Sequence, residues 1–130
     1  MNKIKKIFFE KKAIIIFAHG SRNVKWTEPF LYLKKKIKQI QPNLIVKIAF
    51  LELIDPNLIT CVAQLYKKNI NTITIVPIFI GKGNHIERDL QNLLKNIKKI
   101  YPNINIRTTL PIGESKKILT EIAKYCIRSL

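Results

Sequence analysis

The sequence predicts an α/β domain built on a doubly wound, four-stranded and mainly parallel sheet. Short apolar runs alternate four times with longer amphipathic segments, and turn residues bound each run. A length of 130 residues, 47% of them hydrophobic, matches the usual size of one domain with a buried core. We therefore treat residues 1–130 as a single domain, in which residues 1–12 form a basic N-terminal segment.

The four predicted strands are rich in β-branched and aromatic residues, which favour extended backbone. They are AIIIFA (13–18), LIVKIAFLEL (44–53), TITIVPIFI (72–80) and INIRTTLPI (104–112). Right-handed crossovers through helices bring the carboxyl ends of such strands to one edge of the sheet. In open α/β sheets, ligands bind at that edge, near the point where the strand order switches.

Each predicted strand is followed by a segment whose apolar residues recur at spacings of three and four, the period of an amphipathic helix. These segments are EPFLYLKKKIKQI (28–40), PNLITCVAQLYKK (56–68), HIERDLQNLLKNIKKI (85–100) and SKKILTEIAKYCI (115–127). Ser115 is of a type that caps helices and precedes the last one. We expect helices on both faces of the sheet, with the stripe of Ile118, Ile122 and Cys126 among those that cover it. The arrangement is flavodoxin-like.

The composition favours a cytoplasmic protein. The apolar run at 13–18 is too short for a secretory or membrane-spanning segment, so we expect no membrane partner. Cys61 and Cys126 occur in apolar helical patterns, which predicts buried reduced thiols. The net charge of +16 favours anionic partners. Aromatic residues do not interleave with the basic clusters, so we expect no specific nucleic-acid binding.

The chain contains two histidines, and each follows a predicted strand. His19 comes directly after the first strand in IFAHGSR, and we expect His85 in the loop that follows the third strand, in VPIFIGKGNH. Glu52 lies near the end of the second strand. All three side chains are therefore expected at the same edge of the sheet. Two imidazoles and a carboxylate suit a divalent first-row metal, and they suit proton abstraction equally well.

Two other interpretations of these stretches are weaker. HGSR has the histidine-glycine pair found in some oxyanion holes, but the chain contains no Gly-x-Ser-x-Gly nucleophile turn. The GKG at 81–83 matches neither the P-loop nor the dinucleotide-binding fingerprint. It is typical of a flexible turn that lets the backbone approach a ligand.

Three stretches of the chain, taken together, resemble successive motifs of the small sirohydrochlorin chelatases of the CbiX type, which are related to the SirB ferrochelatases. The stretches are IIIFAHGSR, VKIAFLELIDPNL and ITIVPIFIGKGNHIERDL, within residues 13–94. The chain departs from the family at GGH, where it has Gly83, Asn84 and His85. It also carries Lys82 where smaller residues are common.

The resemblance implies a chelatase-like half of a longer enzyme, which inserts a divalent metal into sirohydrochlorin without ATP, in cobalamin or siroheme biosynthesis. Cobalt is the first choice, and iron and nickel are alternatives on the same substrate. The metal is a substrate, and no cofactor is permanently bound. Chains of this length are expected to pair as homodimers that complete the cleft. The alternative, which is a binding protein and not an enzyme, is a noncatalytic module that binds a metal or an anionic ligand.

By the same resemblance, His19 and His85 match the histidines that hold the metal and receive the pyrrole protons, and Glu52 matches an acidic residue of the metal site. Metal insertion needs a base and replaceable ligands together, and neutral histidine supplies both. We expect the polyanionic macrocycle to contact basic and small residues around the histidines. These are Ser21, Arg22, Lys82, Gly83, Asn84 and Arg88.

Overall fold

The computed structural model describes residues 11–81 and 83–130, and it confirms the predicted alternation of strands and helices. One sheet contains four parallel strands: β1 Lys12–Ala18, β2 Ile45–Phe50, β3 Thr72–Pro77 and β4 Asn105–Thr108. Their spatial order is β2-β1-β3-β4, so the strand order switches beside β1. The basic segment at 1–12 lies outside the described residues, apart from its last two.

Four helices follow the strands: α1 Glu28–Ile40, α2 Leu58–Lys67, α3 Asn84–Ile100 and α4 Lys116–Arg128. Short 3-10 helices, Val24–Thr27 and Ile112–Glu114, precede α1 and α4. As predicted, Ser115 caps α4, because its hydroxyl accepts a hydrogen bond from the Ile118 amide at 3.4 Å. None of the helices in the described ranges is long and apolar enough to cross a membrane.

The main core lies between the sheet and the helices α2 and α3. Ile15 and Phe17 of β1 are fully buried in one cluster with Leu65 of α2 and Ile97 of α3. Phe17 meets Phe79 edge to face, with ring centroids 5.9 Å apart. Alternate residues of a strand point to opposite faces, so the odd-numbered residues of β1 all enter this core.

Helix α1 covers the opposite face of the sheet, mainly over β2. Trp26, Phe30 and Phe50 pack together there, with ring centroids 4.7 Å to 6.4 Å apart. Ile40 is 78% exposed, although it continues the apolar period of α1. It is the last residue of the helix, and it lines an open groove with Ile14 rather than the core.

Helix α4 differs from the expectation that its apolar stripe covers the sheet. No residue of α4 is buried, and its contacts within the chain are mainly with the 3-10 helix that precedes it. Ile118, Leu119 and Ile122 are 38%, 39% and 37% exposed. The stripe forms as predicted, but the residues that the structure describes leave it open to solvent.

The two cysteines have different environments. Cys61 is fully buried in α2, its thiol lies 3.4 Å from the carbonyl oxygen of Ile48, and burial raises the pKa of this thiol. Both cysteines are free. The prediction of a buried reduced thiol is confirmed for Cys61. It is wrong for Cys126, which is exposed because α4 lies outside the core.

Replacing Leu65 by alanine should lower the free energy of unfolding by about 3 kcal/mol, because it leaves a cavity in the main core. Leu31→Ala is the matched control, since Leu31 is 56% exposed on α1. The control should change the free energy of unfolding by less than about 1 kcal/mol. Urea denaturation measures both values, and equal losses in the two variants would contradict this description of the core.

Candidate functional site

The backbones that follow β1 and β2 stay paired past the ends of the strands, and this brings His19 next to Glu52. The amide of Leu51 donates to the carbonyl of Ala18 at 2.9 Å, and the amide of Glu52 donates to the carbonyl of His19 at 3.0 Å. The parallel register of the two strands therefore continues into the loops. As a result, Nε2 of His19 lies 3.2 Å from Oε1 of Glu52.

Gly20 permits this close approach of the two loops. Its φ of +104° is a conformation that side chains with a Cβ rarely adopt. A Cβ at this position would also overlap the carbonyl oxygen of Glu52. On the other loop, Leu53 has a φ of 72°, so the chain turns sharply directly after the carboxylate. The glycine of HGSR thus has a steric role in holding the histidine beside its partner.

The imidazole of His19 lies between two oxygen acceptors. Nδ1 is 3.2 Å from the carbonyl oxygen of Gly20, and Nε2 faces Glu52. A neutral ring carries one N–H, so when Nδ1 donates to Gly20, the lone pair of Nε2 faces the carboxylate. Two metal bonds of about 2.05 Å at a tetrahedral angle place their donor atoms about 3.3 Å apart. The pair therefore has the spacing of two ligands on one divalent cation.

His85 lies on the first turn of α3, which corrects its predicted place in a loop. Gly83 caps the helix with extended backbone, and helical structure begins at Asn84. Nε2 of His85 lies 3.3 Å from Oδ2 of Asp89, one helical turn further on, and the side chain of His85 is 84% exposed. Asp89 was not among the residues predicted from the sequence. The signal was the spacing of four residues, which places both side chains on one face of a helix.

The carboxylates of the two pairs border one shallow depression of about 310 Å³ at the carboxyl edge of the sheet. Its lining is Leu51, Glu52, Asp89, Asn92, Leu93 and Asn96. The partners of both histidines therefore face a common space. Across residues 11–81 and 83–130, no three His, Cys, Asp or Glu side chains gather closely enough to hold a metal ion. The ligand set of His19, Glu52 and His85 stays a prediction.

Two of the residues expected to contact the macrocycle have local structural roles. The hydroxyl of Ser21 accepts a hydrogen bond from the amide of Asn23 at 3.1 Å, which closes the turn after His19. Gly83 is the N-terminal cap of α3, and a Cβ there would meet no neighbouring atom. Both residues therefore shape the segments that carry the histidines.

The basic residues of the predicted rim flank the same segments. Arg22 is exposed three residues after His19, and Arg88 is exposed on the first turns of α3. Lys82 and the side chain of Asn84 lie outside what the structure describes. The two exposed arginines lie on the segments that carry His19 and His85. Their contact with the macrocycle stays a prediction.

A smaller cavity, of about 160 Å³, lies between α3 and the segment that follows β4, and no predicted site residue lines it. Its walls include Phe79, Ile86, Leu90 and Leu110. Two carboxylates, Glu87 and Glu114, also line this cavity, but neither histidine does. The His19 and His85 pairs therefore define the candidate site.

An open parallel sheet with two histidine-carboxylate pairs near its switch point defines an α/β domain with a candidate site for a metal or a proton. The comparison with protein families is specific: the chain belongs to the CbiX family, whose model matches residues 13–128. The match includes both histidines, both of their carboxylate partners and the last helix.

Two curated relatives cover most of the chain. The sirohydrochlorin cobaltochelatase of Sulfolobus acidocaldarius is 27% identical over 117 residues, which are 90% of this chain and 91% of that protein. The sirohydrochlorin cobaltochelatase of Sulfurisphaera tokodaii is 25% identical over 111 residues, 85% of this chain and 87% of that protein. The chain is thus similar to these relatives over nearly their whole length.

Solved structures share the fold. A putative cobalamin biosynthesis CbiX protein from Marinobacter aquaeolei superposes with a TM-score of 0.80 and 27% identity, over 91% of this chain and 96% of that one. The sirohydrochlorin chelatase SirB from Bacillus subtilis subspecies spizizenii, in complex with cobalt, superposes with a TM-score of 0.75 and 25% identity. This superposition covers 88% of our chain but 49% of SirB, so the chain spans about half of SirB.

Replacing Gly20 by alanine should destabilise the protein by about 1–3 kcal/mol and separate His19 from Glu52, because the new Cβ overlaps the Glu52 carbonyl at an unfavourable φ. Gly81→Ala is the control, since a Cβ at Gly81 meets no atom within 4 Å. Urea denaturation measures the loss, and a crystal structure of the variant measures the separation. Equal stability of the two variants would contradict the steric role of Gly20.

Proposed function

We propose that this protein is a sirohydrochlorin chelatase, which inserts a divalent metal into sirohydrochlorin without ATP, with cobalt as the first choice. The observation that carries the proposal is the pair of His19 and Glu52, whose donor atoms are 3.2 Å apart at the carboxyl edge of a CbiX-family chain. The cobaltochelatase names of the two curated relatives support cobalt. Iron and nickel are the alternatives, and cobalamin or siroheme biosynthesis would use the product.

In the proposed reaction, a hydrated divalent cation first binds at His19 Nε2 and Glu52. Two protein ligands leave several coordination positions for water, and the pyrrole nitrogens of the macrocycle then replace these waters. A closed cage of four protein ligands would retain the metal, whereas this pair can release it. The exposure of about half of each side chain fits a site that exchanges its metal with solvent.

Insertion also removes two protons from the pyrrole nitrogens, so the site needs a base. We assign this role to the histidines, with His85 as the residue that approaches the macrocycle from α3 and contributes a further metal ligand. Asp89, 3.3 Å from Nε2 of His85, can accept the N–H of that nitrogen and leave Nδ1 free for the reaction. An imidazole nitrogen that held the metal is released as the metal moves into the macrocycle, so the pyrrole protons can then pass to the imidazoles and on to water.

The polyanionic macrocycle is attracted by the charge of the protein. The net charge of +16 raises the local concentration of anions, and arginine binds carboxylates through paired N–H donors. We propose Arg22, Lys82 and Arg88 as contacts to the substrate carboxylates. Ser21, Gly83 and Asn84 then form the loop surface against which the macrocycle lies.

A homodimer completes the cleft in this proposal. The chain spans 49% of cobalt-bound SirB, and one four-stranded domain offers a single wall to a planar macrocycle. A second copy, related by a two-fold axis, supplies the other wall and buries surface on both chains. Strong positive charge opposes this pairing, so added salt should strengthen it where repulsion dominates.

His85→Ala should reduce the rate of cobalt insertion by roughly 100- to 10,000-fold, because it removes a positioned proton acceptor. Folding should be unaffected, since the side chain is 84% exposed. Lys95→Ala, on the solvent side of the same helix, is the control and should keep the wild-type rate. The measurement is the change in the absorbance of sirohydrochlorin with time, with Co²⁺, Fe²⁺ and Ni²⁺ tested side by side.

Two outcomes would count against this proposal. A folded His85→Ala variant within a few-fold of the wild-type rate would remove His85 from the mechanism. A change in absorbance that stops at one equivalent of protein, without turnover, would instead identify a noncatalytic module that binds the metal or the pigment.

A further inference from the structure

The cavity between α3 and the segment that follows β4 has a buried apolar part and an exposed charged rim. Its volume is about 160 Å³, and Pro77, Phe79 and Leu90 in its lining are buried. Glu87 and Leu110, which also line it, are exposed. Apolar cavities of about 150 Å³ can hold a ligand of about six carbon atoms. The cavity therefore has the size and the change of polarity of a site for a small amphiphilic molecule.

The wall that follows β4 is fixed to β3 and to the segment after it. The amide of Thr109 donates to the carbonyl of Ile75 at 3.0 Å, and the amide of Gly113 donates to the carbonyl of Phe79 at 2.9 Å. A Cβ at Gly113 would overlap the backbone of Ile80, so the two segments are in close contact. Because most ligand sites are formed before the ligand arrives, this fixed wall favours a binding site.

The charges around the cavity indicate the class of ligand. Among the residues that the structure describes, the lining contains two of the eight acidic side chains of the protein, Glu87 and Glu114, and no lysine or arginine. A chain of net charge +16 thus presents carboxylates at this cavity. Carboxylates repel anions, including the carboxylates of sirohydrochlorin, and they attract an organic cation.

Glu87 is the carboxylate that can bind such a cation. It lies in the first turn of α3, and none of the ion pairs in the described ranges involves it. An ammonium group at the rim would pair with Glu87, while an aliphatic chain enters the cavity and contacts Phe79 and Leu90. This orientation buries the apolar part of the ligand and leaves its charged end in contact with water.

We propose that this cavity is a second binding site, which takes a small aliphatic primary amine as its alkylammonium ion. The site is separate from the His19 and His85 pairs, so the inference goes beyond the proposed function and does not depend on it. Ile86 lines the cavity and directly follows His85 in the chain. The backbone of the first turns of α3 therefore reports whether the cavity is occupied.

A set of matched ligands tests the proposal: pentylammonium, 1-pentanol and pentanoate share the length of their carbon chain and differ in the charge of the polar end. Each is titrated at low ionic strength into the ¹⁵N-labelled full chain, without metal or sirohydrochlorin, and NMR follows the backbone amides. Pentylammonium should shift the amides of Ile86, Glu87 and Leu110, with a dissociation constant in the millimolar range. 1-Pentanol should bind about fivefold more weakly, the effect of losing an exposed ion pair. Pentanoate should cause no shift there.

A matched pair of variants tests the role of Glu87. Glu87→Gln should lower the affinity for pentylammonium about fivefold, to that of 1-pentanol. Glu121→Gln is the control, because it removes the same charge from α4, where the side chain of Glu121 is 69% exposed and outside the cavity lining. It should bind pentylammonium as the wild type does. Circular dichroism checks that both variants are folded.

The net charge makes the comparison of ligands stringent, since unspecific attraction to a chain of +16 would favour pentanoate. A wild-type protein that prefers pentanoate, or that binds 1-pentanol as tightly as pentylammonium, would overturn the proposal. Equal losses in Glu87→Gln and Glu121→Gln would also overturn it, because they would reflect net charge alone.

A lysine side chain carries the same ammonium group as a free amine, so Nα-acetyllysine amide is titrated as a fourth ligand. Weaker binding than that of pentylammonium supports a free amine as the occupant. Tighter binding would identify a peptide in its place and overturn the assignment. None of these titrations measures metal insertion, so their failure leaves the chelatase activity to be decided by the absorbance assay alone.

Discussion

The contact between Gly20 and the backbone of Glu52 is the constraint on which the candidate site depends. Parallel pairing of β1 and β2 continues past the ends of both strands, and it would bring any two residues near each other at this edge. Only a glycine lets the loops meet without a clash at the Glu52 carbonyl. Nε2 of His19 and Oε1 of Glu52 then lie 3.2 Å apart, which is the separation expected of two ligands on one cation.

The site and the fold are supported by different parts of the chain. The buried cluster between the sheet and helices α2 and α3 supplies the hydrophobic stabilisation, and neither histidine belongs to it. The two histidine-carboxylate pairs are exposed, and exposed pairs contribute little to stability. The titratable groups are therefore free to exchange protons and ligands without unfolding the domain. This separation suits a protein whose metal is a substrate that must leave.

Much of the site follows from the sequence because strand ends are well marked in it. The run AIIIFA stops at His19 and LIVKIAFLEL contains Glu52 near its end, so parallel pairing alone predicts that the two residues are neighbours. The start of α3 was less evident, because Gly83 and Asn84 suit a loop as well as a helix cap. With His85 assigned to a loop, the pairing with Asp89 one turn later could not be seen.

The environment of α4 could not be predicted from its pattern. A helical period of apolar residues shows that one side of a helix avoids water, but it does not say which surface covers that side. Cys126 was expected to be buried for this reason, and it is exposed within its own chain. Ile40 is a second example. The apolar period of α1 continues to this residue, although it lies outside the core.

We propose that His19, Glu52 and His85 bind the metal before it enters the macrocycle. X-ray absorption spectroscopy of the protein with one equivalent of Co²⁺, in the absence of sirohydrochlorin, identifies the ligands of the bound metal. Two histidine ligands produce the multiple-scattering signal of two imidazoles at Co–N distances of about 2.0–2.1 Å, together with oxygen ligands. We predict this signal for the wild-type protein, and we predict that His19→Ala and His85→Ala each remove one imidazole. A spectrum with oxygen ligands alone would contradict it.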